Sequence, residues 1–149
     1  MIDSNILDDF DLFDIKKAMR SSRKPNHTKR HVSKESYFEN FESQIFLVSK
    51  TLKLLRKLSL KKVNEQQLEF FFYTNTPDKA QALAEEIVRL NYSVHFNKLS
   101  GDKELYLISG MTIKMSMDDS TITKWSQKMC KLGYRFDCKF DGWGTIVDP

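Results

Sequence analysis

The stretch Leu68–Thr74 reads LEFFFYT and predicts a buried β-strand, because short runs rich in Phe and Tyr favour strands over helices. Side chains alternate along a strand, so Phe70 and Phe72 share one face while Phe71 and Tyr73 share the other. A strand that is apolar on both faces is typical of the centre of a sheet. We therefore expect the second half of the chain to be organised around this strand.

After this strand the pattern alternates between helix and strand. Thr76 and Pro77 predict a helix start, with threonine as the N-cap and proline in the first turn. The remaining elements, in order, are the rest of that helix to Leu90 with Asn91 as a left-handed cap, a strand through Tyr92, Val94 and Phe96, a strand over Glu104–Met115 with a bulge or bend at Gly110, a helix from Asp118 or Ser120 that ends at Gly133, and a strand from Tyr134 to Phe140.

The order of these elements is strand–helix–strand followed by strand–helix–strand, which is the split βαβ arrangement. The sequence therefore predicts an α+β fold, a ferredoxin-like βαββαβ sandwich in which both helices pack on one face of the sheet. The first strand of this arrangement lies in the middle of the sheet. That position agrees with the apolar side chains on both faces of Leu68–Thr74.

A further helix is predicted before this domain, from about residue 37 to residue 58. Ser36 and Glu39 fit a capping box at its start. Apolar residues then recur every three or four positions and form one stripe, namely Phe38, Phe41, Ile45, Val48, Leu52 and Leu55. Such a stripe needs a partner surface, and with fewer than three heptads we favour packing on its own domain or in a helical hairpin over a coiled coil.

The net charge of +4 is unevenly distributed. Residues 1–15 carry five Asp and no Lys or Arg, residues 16–62 carry 14 Lys or Arg against three Glu, and residues 63–149 carry 10 Lys or Arg against 12 Asp or Glu. We therefore divide the chain into a mainly basic extension, 1–62, and a domain, 63–149. We expect the domain to fold alone. An unfolded fragment would show instead that the predicted helix completes the core.

Two parts of the extension have alternative interpretations. Residues 1–15 mix acids with apolar residues, which suits a short amphipathic helix, a peptide that folds against a partner, or a frayed terminus. The basic stretch Lys16–Lys34 could contact nucleic-acid phosphates, although a flexible linker is the simpler interpretation. His27 and His31 within it have helical spacing, yet no third ligand lies nearby, so we interpret them as solvated.

Nothing in the sequence predicts catalytic, cofactor-binding or metal-binding residues. No nucleophile stands in a motif with His or an acid, and no glycine-rich phosphate loop occurs. Cys130 and Cys138 form no metal-binding pattern, and we expect reduced thiols in a cytoplasmic protein. No apolar run approaches the roughly 18 residues of a membrane helix. The N-terminus also lacks a signal-peptide pattern.

The C-terminal segment Asp141-Gly142-Trp143-Gly144 predicts a tight turn that presents an aromatic side chain. The alternative is a structural role for Trp143, folded over the end of the sheet. Phe140–Thr145, the FFFY run of the first strand, Pro77-Asp78, Ala84-Glu85-Glu86 and Asn91-Tyr92-Ser93-Val94 together resemble the RraB family of ribonuclease E regulators, over residues 68–147. This resemblance implies the ferredoxin-like fold and a non-enzymatic regulator that binds an endoribonuclease and restrains it.

Two functions follow as hypotheses. The first is binding of a protein partner, an endoribonuclease of the ribonuclease E type. For it we predict a surface made of Asp141, Gly142, Trp143 and Gly144 together with Phe71 and Tyr73 on the open sheet face. The second is RNA binding, with bases stacked on Phe71 and Tyr73 and phosphates on the basic extension. The sequence does not predict an oligomeric state. We expect Trp143→Ala to weaken partner binding while the fold stays intact.

Overall fold

A computed structural model describes residues 30–58, 65–101 and 104–145. Three helices lie in these ranges: α1 (Lys34–Leu58), α2 (Pro77–Val88) and α3 (Asp119–Arg135). The strands are β1 (Glu65–Gln66), β2 (Glu69–Thr74), β3 (Ser93–Lys98), β4 (Tyr106–Met111), β5 (Met115–Ser116) and β6 (Lys139–Gly144). The acidic segment 1–15, His27 and most of the basic stretch lie outside the described residues.

The main sheet has four antiparallel strands in the order β3-β4-β2-β6, so β2 lies between two neighbours. With α2 after β2 and α3 before β6, this order is that of the split βαβ arrangement. The prediction of an α+β fold with a central first strand is confirmed. A second, two-stranded ribbon of β1 and β5 continues beyond one end of the sheet.

The core lies between the helices and one face of the sheet. Phe70 and Phe72 are fully buried there, and the edge of the Phe72 ring packs near Gly133 of α3. Phe71 and Tyr73 alternate with them and are only half-buried. The division of the strand into two faces is therefore confirmed. In the described part of the chain, the helices contribute their buried side chains to the face of Phe70 and Phe72.

Helix α1 packs against α3, and the two helices run antiparallel. Tyr37, near the start of α1, stacks on Tyr134 at the end of α3, with ring centroids 4.3 Å apart. Near the other end of α1, the guanidinium of Arg56 donates to the carboxylate of Asp119 over 2.8 Å. Of the predicted apolar stripe, Phe41, Val48 and Leu52 are buried in the common core, so the stripe packs on its own domain. The helix begins one turn before the predicted capping box, because Ser33 accepts the N–H of Ser36.

The junction between α3 and β6 differs from the prediction. Gly133 does not end the helix, which continues to Arg135. A Cβ at Gly133 would lie 2.7 Å from the carbonyl oxygen of Cys138 and 2.9 Å from the Phe72 ring, so glycine is needed there for close packing. The chain instead reverses at Asp137, which has a positive φ of 59°. The last strand consequently begins at Lys139 rather than Tyr134.

Gly110 is not a bulge. It pairs in regular register with Phe70 on one side and Val94 on the other. Its role is again steric, because a Cβ at this position would collide with the carbonyl oxygen of Ser93 and lie 2.8 Å from the Phe70 ring. The predicted third strand ends at Met111 and is followed by the separate strand β5.

The caps predicted for α2 and at the start of α3 are confirmed, whereas the capping box predicted at Ser36 is wrong. Thr76 accepts the N–H of Lys79 at the start of α2, and Asn91 has the predicted positive φ of 66° after that helix. Asp118 caps α3. Hydrogen bonds from the Ser116 hydroxyl, then from the N–H and hydroxyl of Thr121, lower its pKa to about 2. No helix in the described ranges is long and apolar enough to cross a membrane.

Candidate partner-binding surface

The sheet face opposite the helices forms the candidate surface, which we call the open face. Residues that pair directly across antiparallel strands share a face. Phe71 pairs with Ser109, and Tyr73 pairs with Leu107. The open face also receives Glu69 and Met111, then Ser93, His95 and Asn97 from β3, and Lys139, Gly142 and Gly144 from β6.

At the centre of the open face, Phe71 stands between two small neighbours. Gly142 is opposite it on one side and Ser109 on the other. These neighbours cannot cover an aromatic ring, so the flanks of Phe71 stay accessible to a partner. The hydroxyl of Ser109 and Nε2 of His95 share a hydrogen bond of 3.2 Å, which fixes both polar groups beside it. This mixture of aromatic and hydrogen-bonding groups is typical of surfaces that bind proteins.

The predicted Asp141–Gly144 turn is part of strand β6, at the edge of the sheet. It contains a bulge between the Phe72↔Phe140 pair and the Phe71↔Gly142 pair, which leaves Asp141 as the extra, exposed residue. Asp141 could therefore reach a partner that lies on the open face. The structure thus brings Phe71, Tyr73, Gly142 and Gly144 onto one face and puts Asp141 at its edge.

Trp143 lies on the opposite side from Phe71 and Tyr73. It pairs with Phe70, whose side chain belongs to the helix-covered face, and it packs half-buried against the core. The arrangement corresponds to the structural alternative considered for this tryptophan. Its role in partner binding stays a prediction, and Trp143→Ala must be checked for folding before any binding result is interpreted.

The two glycines around Trp143 have different conformations and predict different mutational effects. Gly142 has a φ of +113°, which L-residues rarely adopt, whereas Gly144 has ordinary backbone geometry and open space at its Cβ position. We expect Gly142→Ala to lower the free energy of unfolding by about 1–3 kcal/mol. Gly144→Ala should change it by less than about 0.5 kcal/mol. Urea unfolding followed by circular dichroism measures both, and equal midpoints would contradict the bulge geometry.

Helix α1 covers the outer edge of β6 next to this surface. The side-chain amide of Asn40 donates to the carbonyl oxygen of Phe140 over 2.7 Å, and the amide oxygen of Gln44 lies 3.6 Å from the Cβ position of Gly142. An uncovered strand edge can pair with a strand from another protein. Because α1 lies along this edge, a partner that binds here is expected to approach the open face rather than pair with β6.

Asp137 is a buried charge that the sequence analysis did not single out. Its carboxylate accepts the N–H groups of His31 and Val32 over 2.7 and 2.8 Å. The ammonium of Lys79 donates to it over 2.6 Å, and Arg30 lies 3.5 Å away. The cluster joins the segment before α1 to α2 and to the turn before β6. It is a structural junction rather than a binding site, because it ties together elements of one molecule.

The two cysteines are poorly suited to act as catalytic nucleophiles. Both are free and buried, and burial raises the pKa of Cys130 and that of Cys138 to about 12. Both thiols therefore stay protonated near neutral pH and are poor nucleophiles. Among the residues that the structure describes, no three His, Cys, Asp or Glu side chains are grouped so that they could hold a metal ion.

Comparison with known proteins gives one family match. The model described as "Regulator of ribonuclease activity B", RraB, matches residues 49–145, which is more than half of the chain. The match begins within α1 and includes α2, α3 and all six strands. A comparison with curated proteins gives no match. The description names a regulator of a ribonuclease and not a catalyst.

Proposed function

This chain belongs to the RraB family, and we propose that it is a non-enzymatic regulator that binds an RNA-degrading endoribonuclease of the ribonuclease E type and restrains it. The observation that carries the proposal is the family match over residues 49–145, whose description names regulation of a ribonuclease. We propose that the interaction takes place in the cytoplasm. Two free cysteines support a reducing compartment.

We propose the open face, with Phe71 and Tyr73 at its centre and Asp141 at its edge, as the surface that contacts the nuclease. Half-buried aromatic side chains surrounded by polar groups are the usual anchors of protein interfaces. Gly142 and Gly144 keep the surface beside Phe71 shallow. Trp143 supports this surface from the other side of the sheet, where it packs against the core.

The charges of the open face favour a protein partner over RNA. Its described charged side chains are Glu69 and Lys139, placed by strand register, and Asp141 at the edge, which makes two acids and one base. Proteins that bind RNA without base-specific contacts need an excess of Lys and Arg to neutralise phosphates. RNA binding through the basic extension is therefore the second candidate function, and it is separated from the first by removing RNA from the assay.

The test is the rate at which purified ribonuclease E cleaves a fluorescent RNA, titrated with the nuclease-treated full chain. We expect inhibition at one protein per enzyme site and direct binding to RNA-free enzyme. Phe71→Ala and Tyr73→Ala should each raise the inhibitory concentration at least about tenfold, because truncated aromatic anchors lose most of their contacts. Val88→Ala serves as the matched control, since Val88 is an exposed apolar residue on α2, outside the open face.

Three results would contradict different parts of the proposal. Absence of both inhibition and binding would show that the chain does not regulate this class of nuclease. Inhibition that Phe71→Ala and Tyr73→Ala leave unchanged, with folding verified by circular dichroism, would place the contact elsewhere. Binding that disappears when RNA is removed, and that weakens steeply with salt, would favour the RNA hypothesis.

A further inference from the structure

The solvent-facing side of α1 carries an ordered line of charges. Its first half has three exposed acids, Glu35, Glu39 and Glu42, and its second half has three exposed bases, Lys50, Lys53 and Lys57. Phe46 stands between them and is 65% exposed. We call these seven residues the α1 stripe. They follow one another at intervals of three or four, so they lie along one side of the helix.

The α1 stripe is opposite the side of α1 that packs on the domain. The buried positions of the helix are Tyr37, Phe41, Gln44, Val48 and Leu52. At 3.6 residues per turn, their centre lies about half a turn around the helix from Phe46. The stripe is therefore not a by-product of core packing.

A helix on its own is not stabilised by having its acids grouped in one half and its bases grouped in the other. Glu35 and Glu39 are one turn apart, as are Lys53 and Lys57, and like charges at this spacing repel each other. The helix dipole favours acids at the start and bases at the end, but only within the first and last turns. Glu39 and Lys53 lie further in. No ion pair joins any charge of the stripe to another residue in the described ranges.

The order of the charges is symmetric about Phe46. Glu42 and Lys50 are each four positions from it, Glu39 and Lys53 seven, and Glu35 and Lys57 eleven. A pattern that is acidic on one side of its centre and basic at the same distances on the other is complementary to its own reverse. An antiparallel copy of the stripe thus meets the opposite charge along its whole length.

We propose that this chain forms a two-fold symmetric homodimer in which the α1 stripes of two copies pack antiparallel, with the two Phe46 rings at the axis. A two-fold interface uses the same patch on both subunits, so one patch must complement itself, as the stripe does. Leu47, 43% exposed beside Phe46, adds apolar surface near the axis. The ammonium of Lys50 lies 4.8 Å from the centre of the Phe46 ring in the same copy, and therefore beside the proposed contact between the two rings.

The interface is small, so the dimer is expected to be weak. Two helices that cross at a shallow angle keep side chains in contact over several turns. The surface buried by one pair of helices is smaller than that of a standard protein interface. We therefore expect a dissociation constant on the order of 10–100 μM at low salt. Exposed ion pairs are screened by salt, so the dimer should weaken as ionic strength rises.

Charge exchange tests the proposal with the full, nuclease-treated chain in sedimentation equilibrium. Glu39→Lys with Glu42→Lys makes the stripe basic in both halves, and Lys50→Glu with Lys53→Glu makes it acidic in both. Each pair alone should raise the dissociation constant at least about tenfold, because matched charges become repulsive. Mixing the two variants should restore association, and the chain with all four changes should dimerise again.

Phe46→Asp is a second test of the proposal, and Val88→Asp is its matched control. Both replace an exposed apolar residue on a helix, but only Phe46 lies in the α1 stripe. Phe46→Asp should abolish the dimer, because each copy introduces a charge at the axis, and Val88→Asp should leave it unchanged. Circular dichroism verifies that each variant is folded.

Several outcomes would overturn the proposal. A monomer at about 500 μM and low salt, which is well above the expected dissociation constant, would exclude the dimer. A dimer that charge exchange and Phe46→Asp leave intact would use another surface. If the full chain were monomeric while fragment 30–149 dimerised, residues 1–29 and not a second copy would occupy the stripe.

Discussion

Asp137→Ala is expected to lower the free energy of unfolding by about 3–5 kcal/mol, the loss typical of removing one partner from a buried ion pair. Asp137 is only 6% exposed. Its removal leaves the N–H groups of His31 and Val32 without this acceptor, and it leaves the ammonium of Lys79 with the side-chain oxygen of Asn75 but without its carboxylate. Domains of this size have about 5–15 kcal/mol of stability in total, so the variant should be partly unfolded at 37 °C.

Two further variants separate the contributions at Asp137. Asp137→Asn keeps an oxygen acceptor and tolerates the positive φ, so it should lose less stability than Asp137→Ala. Asp141→Ala removes an exposed acid from the neighbouring strand and should change stability by less than about 0.5 kcal/mol. Urea midpoints from tryptophan fluorescence measure all three. A midpoint for Asp137→Ala equal to that for Asp141→Ala would show that the buried cluster is not stabilising.

Local signals predicted those parts of the fold that depend on neighbours in sequence. Apolar side chains on both faces of β2 predicted its central position, and the alternation of side chains along a strand predicted the separation of Phe71 from Phe72. The N-cap Thr76 and the left-handed conformation of Asn91 were likewise predicted from the local sequence. In contrast, Gly133 and Asp137 take their roles from contacts with β2, α2 and the segment before α1, which are far away in sequence. A glycine near a helix end therefore looked like a cap although it serves close packing.

The position of Trp143 shows why the candidate surface could be predicted only in part. Strict alternation from the buried Phe140 would put Trp143 on the open face, together with Phe71 and Tyr73. The bulge at Asp141 inserts one residue into β6, and a one-residue shift moves the following side chains to the other face. Gly142 was the available signal, since its positive φ accommodates the bulge. Glycine alone does not say where a bulge lies.

The sequence led us to expect that residues 63–149 fold alone, but the contacts of α1 favour the opposite expectation. The division of the chain at residue 62 stays a prediction. The family match begins at residue 49, within α1. Tyr37, Phe41, Val48 and Leu52 are each at most 3% exposed and belong to the common core. Burying four such side chains contributes about 6–12 kcal/mol, which is comparable to the stability of a whole domain.

Fragment 63–149 is therefore expected to lose cooperative unfolding, whereas fragment 30–149, which keeps α1 and the residues that bind Asp137, should keep a cooperative transition. Without α1, the Tyr134 ring would lose its stacking partner and the carbonyl oxygen of Phe140 would lose its donor. Circular dichroism and urea titration of the three chains measure this. A cooperative transition of fragment 63–149 at the midpoint of the full chain would show that the domain needs no helix before residue 63, and that α1 is retained for a different purpose, such as the contact between two copies.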